Sequence, residues 1–117
     1  MATNASIAMK TPEGTYVGIY CHWDGYIQHG VGDMLLKNYT TPEDVAKLIE
    51  IGDISSLGEN LNETVYYHRD RGEAYKDVKP LVAETYPLLM KALRHEYNYL
   101  YEDGQWKETS LNLSLEQ

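Results

Sequence analysis

The segment IYCHWDGYIQHGVG, residues 19–32, sets a thiol, two imidazoles, an indole, two phenols and a carboxylate beside three glycines. Cys21 and His22 have the types of a nucleophile and its base. Adjacent residues on a strand point to opposite faces, however, so Cys21 reads as a small buried hydrophobe. His22, Asp24 and His29, joined by His68, have the donor types of a divalent metal site, although no HExxH-like spacing accompanies them. Trp23, Tyr20 and Tyr26 offer stacking faces, while Arg69 and Arg71 offer forked donors suited to phosphate. Gly30 and Gly32 would let backbone N–H groups approach an anion at the start of the next helix. A purely structural account competes with all of these. In it Asp24-Gly25 makes a turn, Trp23 caps the core, and the arginines pair with Asp70, Glu73 or Asp24.

The reading carried forward is a noncovalent binding surface. Trp23, Tyr26, Arg69 and Arg71 carry the ligand, and His22 and Asp24 fix its orientation. No residue receives a catalytic role, no cofactor or metal is expected, and the lack of an enzymatic motif points away from an enzyme. The alternatives are a metal-dependent phosphodiesterase-like hydrolase built on His22, Asp24, His29 and His68, and an acidic inhibitor that imitates DNA. The binding reading requires the indole-bearing bend and the arginine segment to meet in one cleft.

The elements that must position these groups follow from pattern and turn chemistry. SIAMKTPEGTYVGIYCHW reads as a hairpin turning at TPEG, with the Val17, Ile19 and Cys21 face toward the core. GVGDMLLKNY is a short helix candidate. TTPEDVAKLIEIG is a stronger one, with Thr41 as N-cap, Pro42 at the first helical position, acids in the first turn and Gly52 ending the run. Val65 to His68 has strand character. LVAETYPLLMKALRHE has helical spacing from Leu81, but Pro87 demands either a kink or a start near Tyr86. EYNYLYEDGQWKETSL is a hairpin turning at EDGQ, and Tyr97, Tyr99 and Tyr101 share one face. NLSLEQ is expected to fray. Hairpins at both ends with helices between predict an α+β fold, its antiparallel sheet built from the N- and C-terminal hairpins and its helices packed on one face.

At 117 residues and 43% hydrophobic content the chain fits one domain, residues 1–117. No apolar run approaches the roughly 18 residues that span a bilayer, and MATNASIAMK lacks the form of a secretory signal. With a single cysteine these features predict a cytoplasmic protein with no membrane partner. Asn4, Asn38, Asn62 and Asn112 open Asn-x-Ser/Thr patterns, which without secretion are chance. The net charge of −8 opposes nonspecific nucleic-acid binding. Eleven tyrosines and no phenylalanine suit a half-wet aromatic surface, and the tyrosine-rich strands offer a homodimer contact.

YCHWDGY, continued by GVGDMLLKNYTTPEDVAKLIEIGDISSLGE, resembles a family of small phage and prophage proteins. IGDISSLG at residues 51–58, RDRGE at Arg69–Glu73 and the closing YNYLYEDGQW also match its pattern, whereas residues 74–96 depart from it. The resemblance implies a phage or prophage origin and, with it, action in the host bacterial cytoplasm. Its expected role is counter-defence, either by sequestering a nucleotide-derived signal or by inhibiting a bacterial defence protein. It brings no catalytic residues.

Overall fold

The computed structural model describes residues 2–111 and 113–115. Strands β1 (Ala5–Lys10) and β2 (Tyr16–Cys21) form the expected hairpin, in register from Ala5 opposite Cys21 to Lys10 opposite Tyr16. The TPEG turn closes through Gly14 N–H to Thr11 O at 2.9 Å. Helices α1 (Val31–Asn38) and α2 (Pro42–Glu50) come next. The Thr41 hydroxyl accepts the Asp44 N–H at 3.1 Å, so the anticipated cap of α2 is formed.

Short strands β3 (Ile54–Ser56) and β4 (Val65–Tyr66), the single turn α3 (Tyr75–Val78) and strand β5 (Leu81–Ala83) follow. Helix α4 (Tyr86–Leu93) starts at Tyr86, where Thr85 accepts the Leu88 N–H and Pro87 sits in the first turn. Proline is harmless there because its missing N–H has no helical partner to lose. The stretch before it is not helical as its spacing implied. Leu81 to Ala83 instead pair antiparallel with Gly18 to Tyr16. The chain ends in β6 (Tyr97–Glu102), β7 (Gln105–Glu108) and β8 (Leu113–Ser114). Asp103 and Gly104 turn between β6 and β7 at φ 55° and 77°, the conformation a two-residue hairpin demands. β8 pairs with β7 where fraying was expected; Asn112 with its Asn-x-Ser pattern, Glu116 and Gln117 lie outside the described residues.

The architecture is α+β. One eight-stranded sheet runs β4-β3-β2-β1-β6-β7-β8, with β5 also on β2. It is mostly antiparallel, but the two terminal hairpins join through a parallel β1–β6 pair, and β2–β3 is parallel as well. The helices do not share one face. Strand alternation sends Ile7, Ile19, Cys21 and Tyr99 to the layer of α1 and α2, packed with Leu35, Val45 and Leu48. Ala8 and Leu100, facing the other way, meet Leu89, Met90 and Leu93 of α4. Both faces of the central strands are therefore apolar, and each fully buried Ile or Leu contributes roughly 1.5–3 kcal/mol. The Cα radius of gyration, 12.7 Å, is that of a compact chain. Among the described residues no helix is long and apolar enough to cross a membrane.

Candidate functional site

The bend after β2 is fixed by its neighbours before any ligand is considered. His22 and Trp23 continue the β3 pairing through their N–H groups to Ile54 O at 3.1 Å and Ser55 O at 2.9 Å. Gly25 donates to Thr3 O at 2.9 Å, and its own carbonyl accepts the buried Tyr99 hydroxyl at 2.6 Å. Two non-glycine residues of this bend, Asp24 and His29, take left-handed φ values of 59° and 60°. Asp and His tolerate that region better than bulkier types, and such positions concentrate at functional sites.

The bend bounds a cavity of about 370 Å³ lined by Trp23, Asp24, His29, Asp33, Lys37 and Glu59 among others. That is a volume suited to a small molecule or one long side chain. Trp23 and Tyr26 are 45% and 42% exposed, so two aromatic faces stand open on one loop. Among the described residues three carboxylates, Asp24, Asp33 and Glu59, line the cavity with a single lysine, Lys37, so the cavity is acidic. Asp33 also accepts the His29 N–H at 2.7 Å, which ties the start of α1 to the bend.

The anion site expected at the start of α1 is not free. Val31, Gly32 and Asp33 donate their N–H groups to Asp24, Tyr26 and Ile27 carbonyls at 2.8, 3.1 and 2.9 Å. The glycines serve this closure rather than a ligand. A Cβ on Gly30 would collide with the Asp24 carbonyl, and one on Gly32 would lie 2.7 Å from Ile27 O. The loop itself satisfies the donors that a phosphate would need.

The remaining candidates separate into three groups. Trp23, Asp24 and His29 share the cavity. His22 stands behind Trp23, edge-on with ring centroids 4.7 Å apart, and its Nδ1 is 2.6 Å from the Tyr20 hydroxyl. Arg69 and Arg71 are not among the residues lining the cavity. Arg69 holds Asp70 through both Nε and Nη2 at 2.9 Å, donates to Thr64 O at 2.8 Å and lies over the Tyr66 ring. This pairing keeps the Asp70 carboxyl below its ordinary range, by hydrogen bonding to Arg69 first and to the Tyr66 N–H second. Arg71 stacks on Tyr67, 5.4 Å from its centroid. His68 Nδ1 meets Glu73 O at 2.7 Å, and the ring edge faces Tyr75. Among the described residues no three His, Cys, Asp or Glu side chains are grouped to hold a metal ion. Cys21 is fully buried, and desolvation pushes its thiol up to about 12.

Lys37, Asn38 and Glu59 are cavity residues that residue type alone did not single out. Asp33 and Lys37 are four apart on α1 and share its face, a signal that was present. Glu59 had none, because the turn after IGDISSLG brings it over. The three tyrosines of β6 belong to the core layer, with Tyr101 donating to Thr40 O at 3.2 Å. No protein-family model, no curated protein and no solved structure matches the chain.

Proposed function

We propose that this chain is a phage or prophage accessory protein that acts by noncovalent binding in the host cytoplasm, inhibiting a bacterial defence protein. The phage origin rests on the resemblance carried by YCHWDGY, IGDISSLG and RDRGE. The binding role rests on the bend those first residues build. Its carrying observation is the acidic cavity lined by the exposed Trp23, with Tyr26, exposed on the same loop, outside its lining.

Exposed Trp and Tyr are the side chains that most often anchor a protein contact. A cavity lined by three carboxylates and one lysine takes a basic side chain, such as an arginine or lysine of the target, far more readily than a phosphate. That charge balance favours the defence-protein reading over sequestration of a nucleotide-derived signal. Occupation of the α1 N–H groups by Asp24, Tyr26 and Ile27 carbonyls favours it again.

Native mass spectrometry of the protein recovered from a phage-challenged host tests the proposal. Wild-type protein is expected to carry a protein partner that is lost in Trp23→Ala and in Asp24→Asn. A bound nucleotide mass that disappears with Arg69→Ala and Arg71→Ala as well as with Trp23→Ala would replace it with the sequestration reading. Substrate turnover that stops on adding EDTA would replace it with the hydrolase.

A further inference from the structure

A second cleft, of about 340 Å³, opens near the layer that carries α4, lined by Tyr20, Asp53, Asp77, Lys79, Leu81, Ala92, Leu93 and His95. Its walls are assembled from distant parts of the chain. Gly52, at φ 112°, lets the backbone pass so close to Val78 that a Cβ there would stand 2.5 Å from the Val78 carbonyl. The Asp53 N–H then donates to that same carbonyl at 2.8 Å. The chain after α3 is thereby drawn against the start of β3.

On the opposite wall the buried amide of Asn98 brackets His95. Its Oδ1 accepts the His95 N–H at 2.9 Å, and its Nδ2 donates to the His95 carbonyl at 2.8 Å. The His95 ring packs on Tyr20 with centroids 4.6 Å apart. The Tyr20 hydroxyl is already engaged by His22 at 2.6 Å and Asn4 at 3.2 Å, so Tyr20 offers the cleft its ring.

Hydrogen-bonding capacity is left over in this cleft. Asp53 Oδ1 accepts the Tyr20 N–H at 2.9 Å, while among the described residues nothing donates to Oδ2. The His95 ring nitrogens likewise have no hydrogen-bond partner among them. Burial lowers the His95 pKa, which keeps the ring neutral near pH 7. Among the described residues the cleft therefore presents two carboxylates, Asp53 and Asp77, against one ammonium, Lys79, beside an aromatic pair and the apolar Leu81 and Leu93.

We infer that this cleft is a second binding site, distinct from the Trp23 cavity, for a flat amidine or guanidine cation whose N–H groups bond to Asp53 while its plane lies against the Tyr20 ring, beside the tilted His95 ring. A planar donor pair matches a carboxylate edge in a way a single ammonium does not. Delocalised charge also suits a partly apolar wall. Desolvation raises Asp53 to about 6, with the Tyr20 N–H opposing and Glu73 adding to the rise. The cation binds the ionised form, so affinity is full above that value and is lost below it. Protonation of His95 at lower pH acts in the same direction, as it adds a like charge.

Benzamidine is the probe, titrated into the full chain and followed by amide NMR. At pH 7.5 it is expected to shift the Tyr20 and His95 signals. Binding should weaken about tenfold at pH 5, from the ionised fraction of a group titrating near 6. Asp53→Asn should weaken it at least tenfold and Trp23→Ala should leave it unchanged. Leu81→Trp, which fills the cleft from its half-open rim, should abolish it and stands in if the Asn variant is misfolded. Absence of shifts at millimolar benzamidine, equal binding by Asp53→Asn and Leu81→Trp, or shifts confined to Trp23, Asp24 and His29 would overturn the assignment.

Discussion

The Tyr99 hydroxyl donates a 2.6 Å hydrogen bond to the carbonyl of Gly25, joining strand β6 to the bend that carries Trp23 across 74 residues of sequence. Both partners are shielded from water, so the carbonyl has no substitute donor. Tyr99→Phe removes one hydroxyl and keeps the ring. It is expected to cost about 2 kcal/mol in urea unfolding. Faster hydrogen exchange at Gly25 N–H should accompany the loss, since that donor bonds to Thr3 O in the same bend. An unchanged exchange rate at Gly25 would mean the bend is held by its backbone contacts alone.

The two tryptophans should behave oppositely. Trp23 is 45% exposed, and replacing it with alanine is expected to change stability by no more than about 0.5 kcal/mol. Trp106 is 2% exposed, packs edge-on against Tyr101 and donates its indole N–H to Tyr39 O at 2.9 Å. Its alanine variant should lose roughly 3–5 kcal/mol. Denaturant midpoints of the two variants check this directly. A large stability loss for Trp23→Ala would return the indole to a core role and remove the binding surface.

Much of this framework was readable from local chemistry. Thr41-Pro42-Glu43-Asp44 announces the start of α2 because cap, fixed φ and acidic first turn all act within four residues. EDGQ announces the β6–β7 turn because Asp-Gly accepts the positive φ values that a two-residue hairpin needs. What escaped depends on distant partners. Leu81 to Ala83 keep the spacing of the helix that follows, yet their backbone pairs with β2, a preference no local pattern encodes. The second apolar layer was hidden because Ala8, Gly18 and Tyr20 read as the outward face of a one-sided sheet, when α4 covers part of it. At the site, Trp23 and Asp24 were legible as a bend. The spent donors of α1 were not, since they depend on the left-handed turns at Asp24 and His29. Arg69 was ambiguous between Asp70 and a ligand, and in the fold its guanidinium pairs with Asp70.

Cys21 should be inert in the native protein. Burial holds its thiol near 12, so at pH 8 a fraction on the order of 10⁻⁴ is thiolate, against roughly a quarter for an ordinary cysteine. The sulfur is also shielded, with its hydrogen aimed at Trp23 O at 3.5 Å. Labelling by iodoacetamide is therefore expected only through unfolded molecules, with a rate that rises in step with denaturant. Rapid stoichiometric labelling under native conditions would instead mark the thiol as reachable and reopen the nucleophile reading.

Asp53 makes the pH response of stability specific. Its folded-state pKa, raised to about 6 from 3.8 chiefly by burial, means that the folded protein holds a proton more tightly than the unfolded chain does. Stability from this group is fully present below about pH 4 and is lost as pH rises through 6, then stays level above about 7. A shift of about two units is worth up to roughly 3 kcal/mol, less whatever water in the cleft screens. Asp53→Asn cannot titrate, so the stability of the wild type minus that of the variant isolates the effect from the acids of the surface. That difference should fall between pH 4 and pH 7. If it stays constant, Asp53 is as well hydrated in the fold as in the unfolded chain.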